Sequence, residues 1–144
     1  MIIVPDIMVY VSGSTASMSY SSQLLRLWEQ RAFAIATSEP ILQDLERVLL
    51  YPAVMKVHKL DRAEIVEYVT KIRSSAVLVP GTTPVSVSPD PDDNKLFSCA
   101  VEAGAEYLVS KDKRHVLSIA SYKGVQTITP QDFIEEVVQL EKAA

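Results

Sequence analysis

The chain has little of what marks several protein classes. Its 144 residues include one cysteine, Cys99, so no disulfide can form within the chain, and its two histidines stand apart without the cysteines of a structural zinc site. No apolar run approaches the ~20 residues that span a bilayer. The N-terminus, MIIVPDIMVY, lacks the basic start of a signal peptide. These absences predict a cytoplasmic protein that makes no contact with a membrane.

The chain also has fewer basic than acidic residues. Lys and Arg number 14 against 18 Asp and Glu, which leaves a formal net charge of −4 and no broad electrostatic attraction for nucleic acid. Any nucleic acid would have to bind at a local basic patch. The chain is 48% apolar and 22% charged and has only 4 glycines, a composition typical of an ordered globular protein. At this length we predict one domain over residues 1–144.

Strand-like and helix-like patterns alternate along the chain. Short β-branched runs predict strands at residues 2–11, 33–37, 77–79, 107–109 and 125–128. Apolar residues at helical spacing predict helices at residues 23–31, 38–52, 61–74, 93–104, 114–120 and 129–140. The serine-rich segment 12–22 predicts a loop. The alternation predicts a three-layer α/β fold, with a mostly parallel central sheet and helices on both faces.

Three aspartates fall at the ends of predicted elements. Asp6 follows Pro5, which cannot donate a ladder hydrogen bond and is accommodated if the first strand ends there. Asp93 starts a predicted helix, and Asp112 follows a short predicted strand. In α/β folds, ligands bind outside the carboxyl ends of parallel strands, so we expect these side chains to meet in one crevice.

A fourth acid lies on the helix predicted at 38–52. Asp44 and Glu46 flank its apolar face on opposite sides, each about 100° from the centre of that face at the helical period of about 3.6 residues. Either side chain could point toward a cleft, and the spacing alone does not determine which of the two does.

Four carboxylates in one crevice need a counter-charge. At about 5 Å apart they repel by roughly 3 kcal/mol per pair at an effective dielectric of about 20, and a helix dipole at Asp93 offsets only ~0.3–1 kcal/mol of that. A divalent cation resolves the conflict, and carboxylates suit Mg²⁺ or Mn²⁺. Such a site can activate a water against a phosphodiester, which favours a nuclease. Taken singly, these acids are more simply helix caps or solvated loop residues.

Four stretches of the chain carry the pattern of a known family. They are IIVPDIMVYVSG, SEPILQDLERVLLYP, DPDDNKLFSCAVEAGAEYLVSKD and GVQTITPQDFIEEV. Through them the chain resembles the PIN-domain family, and within it the toxin-like nucleases of bacterial and archaeal toxin–antitoxin systems. The resemblance implies a Mg²⁺- or Mn²⁺-dependent endoribonuclease that acts on single-stranded or structured RNA. It also implies an antitoxin protein as partner and a homodimer.

The resemblance assigns the acids of the site. The family's first acid falls on Asp6, its helix-start acid on Asp93 and its strand-end acid on Asp112. Its second-helix acid falls on Asp44 rather than Glu46. All four are thereby implied to be catalytic and to hold the metal.

Polar neighbours are also assigned by the resemblance, with one departure. Ser110 and Asn94 match residues that support the acids by hydrogen bonds without binding the metal themselves. The family commonly follows its first acid with a small hydroxyl residue and Asn, where this chain has Ile7 and Met8. The departure keeps a second hypothesis open, that of a catalytically degenerate PIN-like protein that binds RNA or a protein partner without cleavage.

Four basic residues stand beside these acids: Lys95, Lys111, Lys113 and Arg114. They would contact RNA phosphates at the rim of the cleft, or they are the ordinary basic residues of solvated turns. The sequence leaves both interpretations open.

Other α/β families fit less well. A haloacid-dehalogenase-like phosphatase needs an acid two residues after Asp6, where Met8 stands, and a receiver domain needs paired acids at the first strand. The chain has no GxGxxG or Walker-type loop, which disfavours a nucleotide-binding fold of that kind.

Overall fold

The computed structural model describes residues 1–15 and 18–139. Its centre is a six-stranded sheet in the order β3-β2-β1-β4-β6-β5. The strands are β1 (Ile2–Pro5), β2 (Ala34–Ser38), β3 (Val77–Val79), β4 (Tyr107–Val109), β5 (Ser121–Tyr122) and β6 (Val125–Ile128). Neighbouring strands run parallel except β5 and β6, which form an antiparallel pair at one edge. The prediction of a mostly parallel sheet is confirmed.

Helices cover both faces of this sheet. They are α1 (Ile7–Gly13), α2 (Tyr20–Glu29), α3 (Glu39–Leu49), α4 (Pro52–His58), α5 (Arg62–Ser75), α6 (Pro91–Ala103) and α7 (Pro130–Asp132), with a 3₁₀ turn at Leu117–Ile119 and a π-helix at Phe133–Val138. None of the helices in the described part of the chain is long and apolar enough to cross a bilayer.

The packing of β1 separates the two helical layers. Ile3 and Val4 are adjacent and fully buried, yet they lie in different apolar clusters, because successive strand side chains point to opposite faces. The Ile3 cluster includes the buried Leu42 of α3 and Ile65 of α5, and the Val4 cluster includes Phe97 of α6. The predicted three layers are confirmed, and α6 is anchored against the sheet with its first turn at the edge where β1 ends.

The strand predicted over residues 2–11 is wrong beyond Pro5. The chain turns at Asp6, and α1 begins at the next residue. The Asp6 carboxylate accepts the backbone N–H of Met8 at 2.9 Å, an N-cap bond that satisfies one of the free donors at a helix start. The β-branched residues that follow are buried on a helix, because capping and packing override their strand propensity. The end of β1 at Pro5 does place Asp6 at the carboxyl edge of the sheet, as expected.

The helix predicted over 38–52 is α3, which is slightly shorter than predicted, and the helix that follows it, α4, was not predicted. α3 ends at Leu49 and α4 begins at Pro52, whose missing N–H is harmless at the first helical position. Pro52 therefore lies just past the end of α3, consistent with the prediction, and also starts α4. α2 also begins earlier than predicted, within the serine-rich segment, because the Ser19 hydroxyl accepts the N–H of Ser22 at 3.1 Å. Residues 16–17 of the predicted loop lie outside the described residues.

The C-terminal region differs from the predicted secondary structure in two places. The helix predicted at 114–120 is reduced to the 3₁₀ turn, and the short strand β5 was not predicted. Thr129 caps α7 by accepting the N–H of Asp132 at 3.1 Å, and the backbone then continues as the π-helix. Leu140, predicted to extend the apolar stripe of this helix, lies outside the described residues.

Candidate metal centre

Three elements bring their ends together at one edge of the sheet. β1 and β4 are parallel neighbours, so the residues that follow them emerge side by side. The backbone N–H of Asp6 donates to the carbonyl of Val109 at 2.8 Å, which extends the pairing to the last residue of β4. Asp112 follows β4 by three residues, and Asp93 is the third residue of α6. Asp6, Asp93 and Asp112 therefore lie at the same edge of the sheet, near enough for their charges to interact.

Ser110 joins two of these acids. Its fully buried hydroxyl donates to Asp6 Oδ2 at 2.6 Å and accepts the backbone N–H of Asp112 at 3.0 Å. The other oxygen of Asp6 is held by the backbone N–H of Met8. The departure at Ile7 and Met8 thus leaves both oxygens of Asp6 with hydrogen-bond donors, one of them supplied by the backbone regardless of side chain.

Asp6 and Asp93 sit in surroundings that disfavour their charge. They are only 7% and 9% exposed. Burial raises the pKa of the Asp6 carboxyl, and the nearby charge of Asp112 raises it further, although the bonds from Ser110 and Met8 act the other way. Burial likewise raises the pKa of Asp93, as do the charges of Asp90, Asp112 and Asp6, against a bond from Ser88. The acids therefore repel one another across the crevice.

Asp112 is held in its charged form. Burial raises the pKa of its carboxyl, but hydrogen bonds outweigh that effect and lower the pKa below its ordinary value. The backbone N–H groups of Arg114 and His115 each donate to Asp112 Oδ1 at 3.0 Å, and His115 Nδ1 lies 3.3 Å from Oδ2. The turn after β4 is thus built around this carboxylate.

A group of ligand atoms forms where these acids meet. One atom each from Asp93, Asp112 and His115 lies within 4.8 Å of the other two, and among the described residues this is the one group of three or more such side chains that is so close. His115 was not among the site residues predicted from the sequence. Its signal was the spacing, since a histidine three residues after a strand-end acid is within reach of it in a tight turn.

Asp44 lies in a separate set of ion pairs. Its side chain is 14% exposed, with Oδ2 at 2.9 Å from Lys95 Nζ and Oδ1 at 3.3 Å from an Arg47 nitrogen. Lys95 also contacts Asp92 at 3.0 Å. Among the residues that the structure describes, the group of close ligand atoms includes neither Asp44 nor Asp6. The charge of Asp44 is balanced by the chain's own cations.

Asn94, on the first turn of α6, holds the loop that precedes this helix. Its side-chain oxygen accepts the N–H of Ser88 and its amide donates to the Ser88 carbonyl, both at 2.9 Å. The Ser88 hydroxyl in turn donates to Asp93 Oδ2 at 3.2 Å. Asn94 therefore acts on Asp93 through the loop rather than by direct contact.

Comparisons with known proteins point to one family. The chain is similar in fold to a chain of VapBC2 from Rickettsia felis, solved bound to a DNA fragment from their promoter, with a TM-score of 0.58, 14% identity, and coverage of 90% of this chain and 98% of that chain. A search of curated proteins finds no match. A family model described as PIN domain matches residues 3–114, which include Asp6, Asp44, Asp93 and Asp112. Since the match covers most of its length, the chain belongs to the PIN domain family.

Proposed function

We propose that this protein is a metal-dependent endoribonuclease, the toxin of a toxin–antitoxin pair, that hydrolyses RNA phosphodiesters. The observation that carries the proposal is the meeting of Asp6, Asp93 and Asp112 at one sheet edge, where burial and mutual repulsion raise the pKa of two of them. PIN domains are generally nucleases that use divalent metals, and the arrangement of these acids suits that chemistry.

The donor set fits a divalent cation. Oxygens of Asp93 and Asp112 lie within 4.8 Å of each other, and the ring of His115 is equally close. Carboxylate oxygens are the preferred ligands of Mg²⁺ and Mn²⁺. Asp93 and Asp112 would hold the cation, with Asp6 beside them. When bound, such an ion lowers the pKa of a water and offsets the charge that builds on a phosphodiester.

The chain's own residues prepare the site. Ser110 fixes the orientation of Asp6, and the turn after β4 fixes Asp112, so neither carboxylate has to be ordered when RNA binds. Asp6 would accept a hydrogen bond from the attacking water. Asp44 orients the site indirectly, since it holds Lys95, on the first turns of α6, at 2.9 Å.

The basic residues next to Asp112 would meet the substrate. Lys111, Lys113 and Arg114 are exposed around this acid, and Lys111 Nζ lies 3.2 Å from Ser12 Oγ on α1. In a chain of net charge −4, this local patch is where RNA phosphates would be held. The likeness to VapBC2, solved on promoter DNA, supports an antitoxin partner. The homodimer, the cytoplasmic location and the single domain stay predictions.

Cleavage of labelled RNA with and without a chelator tests the proposal. We expect the protein to cut single-stranded or structured RNA in Mn²⁺ or Mg²⁺ and to stop cutting when EDTA is added, because the acids alone repel a phosphate. Cleavage that continues in EDTA would exclude the metal mechanism. RNA binding without cleavage, together with no saturable Mn²⁺ site by calorimetry, would favour the degenerate PIN-like protein instead.

Asp44→Asn should weaken Mn²⁺ binding only slightly. Its charge is already balanced by Lys95 and Arg47, and a screened charge of this kind contributes about 1 kcal/mol or less, which is under tenfold in affinity. Isothermal titration calorimetry with Mn²⁺ measures the effect, and Asp93→Asn is the matched control, also an Asp-to-Asn change. Loss of binding in Asp44→Asn as complete as in Asp93→Asn would show that Asp44 is itself a ligand.

A further inference from the structure

His115 is anchored to the strand-end acid at two points. Its backbone N–H donates to Asp112 Oδ1 at 3.0 Å, and its ring Nδ1 lies 3.3 Å from Asp112 Oδ2. These contacts set both the start and the direction of the side chain. One ring nitrogen lies within 4.8 Å of the ligand oxygens of Asp93 and Asp112. The imidazole therefore borders the same space as the two carboxylates.

The other histidine shows what a structural imidazole looks like in this fold. His58 is buried, with Nε2 at 2.9 Å from the Leu49 carbonyl and with Nδ1 accepting the N–H of Leu60 at 2.9 Å. Both of its nitrogens are in use. The side chain of His115 is 42% exposed, and among the described residues its Nε2 has no hydrogen-bond partner. In the described part of the chain, His115 therefore keeps one ring nitrogen, Nε2, that a cation could bind.

We infer that His115 supplies an imidazole nitrogen to the cation held by Asp93 and Asp112, so that the site prefers a d-block dication such as Mn²⁺ or Zn²⁺ to Mg²⁺. The inference rests on the proposed function, which requires a cation at these acids. Mg²⁺ takes oxygen ligands and keeps several waters, whereas imidazole is a ligand of d-block metals. When a carboxylate accepts a hydrogen bond from one ring nitrogen, as Asp112 can from Nδ1, it orients the ring and raises the basicity of the other nitrogen.

Nuclear magnetic resonance of the two histidines tests the contact directly. The protein is labelled with ¹⁵N-histidine and titrated with Zn²⁺, a diamagnetic probe, at a pH where imidazole is neutral. We expect one ring nitrogen of His115 to shift strongly while both nitrogens of His58 stay unchanged. His58 is the internal control, because a general change of fold or pH would move its signals as well.

Calorimetry with His115→Gln tests the selectivity. Glutamine keeps a polar side chain of similar reach but offers an oxygen in place of the nitrogen. Removing the nitrogen should cost at least as much Mn²⁺ affinity as loss of a supporting residue does, about 10-fold or more. Mg²⁺ affinity should change little. Unshifted His58 resonances in the variant show that it is folded.

The outcomes separate this inference from the function on which it rests. If neither Mn²⁺ nor Zn²⁺ nor Mg²⁺ binds wild type, the proposed function fails and His115 has no cation to bind. If cations bind wild type and not Asp93→Asn, the acidic site stands. In that case, unshifted His115 nitrogens together with unchanged selectivity in His115→Gln would overturn the role of His115 alone.

Discussion

Asp93→Asn is expected to abolish RNA cleavage and to leave the metal-free protein at least as stable as wild type. The cleavage rate should fall by about 100-fold or more, because a bound cation contributes several kcal/mol of charge stabilisation and each ~1.4 kcal/mol is a factor of ten in rate. Stability should not fall, because burial and the charges of Asp90, Asp112 and Asp6 all disfavour the Asp93 carboxylate. Asparagine removes that charge and can still accept the Ser88 hydroxyl.

Two measurements on the same preparation check this prediction. Initial rates on labelled single-stranded RNA in Mn²⁺ give the loss of cleavage, and thermal unfolding in EDTA gives the stability. Asp92→Asn is the matched control. Its side chain is 55% exposed, pairs with Lys95 at 3.0 Å and is not among the close ligand atoms of the described residues, so cleavage should be retained. A sharp drop in the melting temperature of Asp93→Asn would mark the residue as a structural element of the first turn of α6 instead of a cation ligand.

Asp6→Ala and Asp6→Asn should both lose cleavage but differ in stability. Alanine removes the N-cap bond to Met8 and leaves the buried Ser110 hydroxyl without its acceptor, which together cost about 2–4 kcal/mol. Asparagine caps a helix as well as aspartate does, so its one oxygen can keep the bond from Met8. Its amide can then donate to the Ser110 hydroxyl oxygen, in place of the bond that Ser110 donates to Asp6. Its stability should therefore lie within about 1 kcal/mol of wild type.

Urea unfolding of the two variants, measured together with their cleavage rates, distinguishes a structural role of Asp6 from a catalytic one. The inactive but stable Asp6→Asn is the informative variant, since loss of activity in Asp6→Ala alone could follow from unfolding. Cleavage by Asp6→Asn at the wild-type rate would remove Asp6 from the site. An Asp6→Ala protein as stable as wild type would instead show that the cap and the Ser110 bond contribute little.

The sequence was sufficient to predict the three layers of the fold and the edge of the sheet at which the acids lie. Helix and strand periods alternate clearly, and Pro5 marks the end of β1, so the position of Asp6 at the carboxyl edge of the sheet could be predicted without coordinates. The roles of the acids came from the family resemblance and not from their spacing. Those roles are still predictions, whereas the family and the fold are shown.

Local competition explains the errors in the predicted elements. Residues 7–11 have strand propensity, yet Asp6 can cap a helix, and only the packing of α1 decides between the two. Pro52 is equally compatible with the end of α3 and the start of α4. In each case one residue is compatible with two local structures of similar energy. Contacts with residues distant in sequence determine which of the two forms.

The contacts that the sequence could not reveal are those between distant segments. Asp44 was placed correctly on the flank of α3, but its partner Lys95 is 51 residues away, and no period in the sequence links them. His115 was set aside because it lacked cysteines nearby, the pattern of a structural zinc site. A site that combines carboxylates with one imidazole has no such pattern, and its members come together only when β1, β4 and α6 are packed.

The central claim is that Asp93 and Asp112, with Asp6 beside them, form the site of a divalent cation. A crystal grown in Mn²⁺, with data collected at a wavelength where manganese scatters anomalously, tests it most directly. We expect a manganese peak bonded to carboxylate oxygens of Asp93 and Asp112. A crystal at saturating Mn²⁺ with no peak between these two residues, from protein that cleaves RNA, would contradict it.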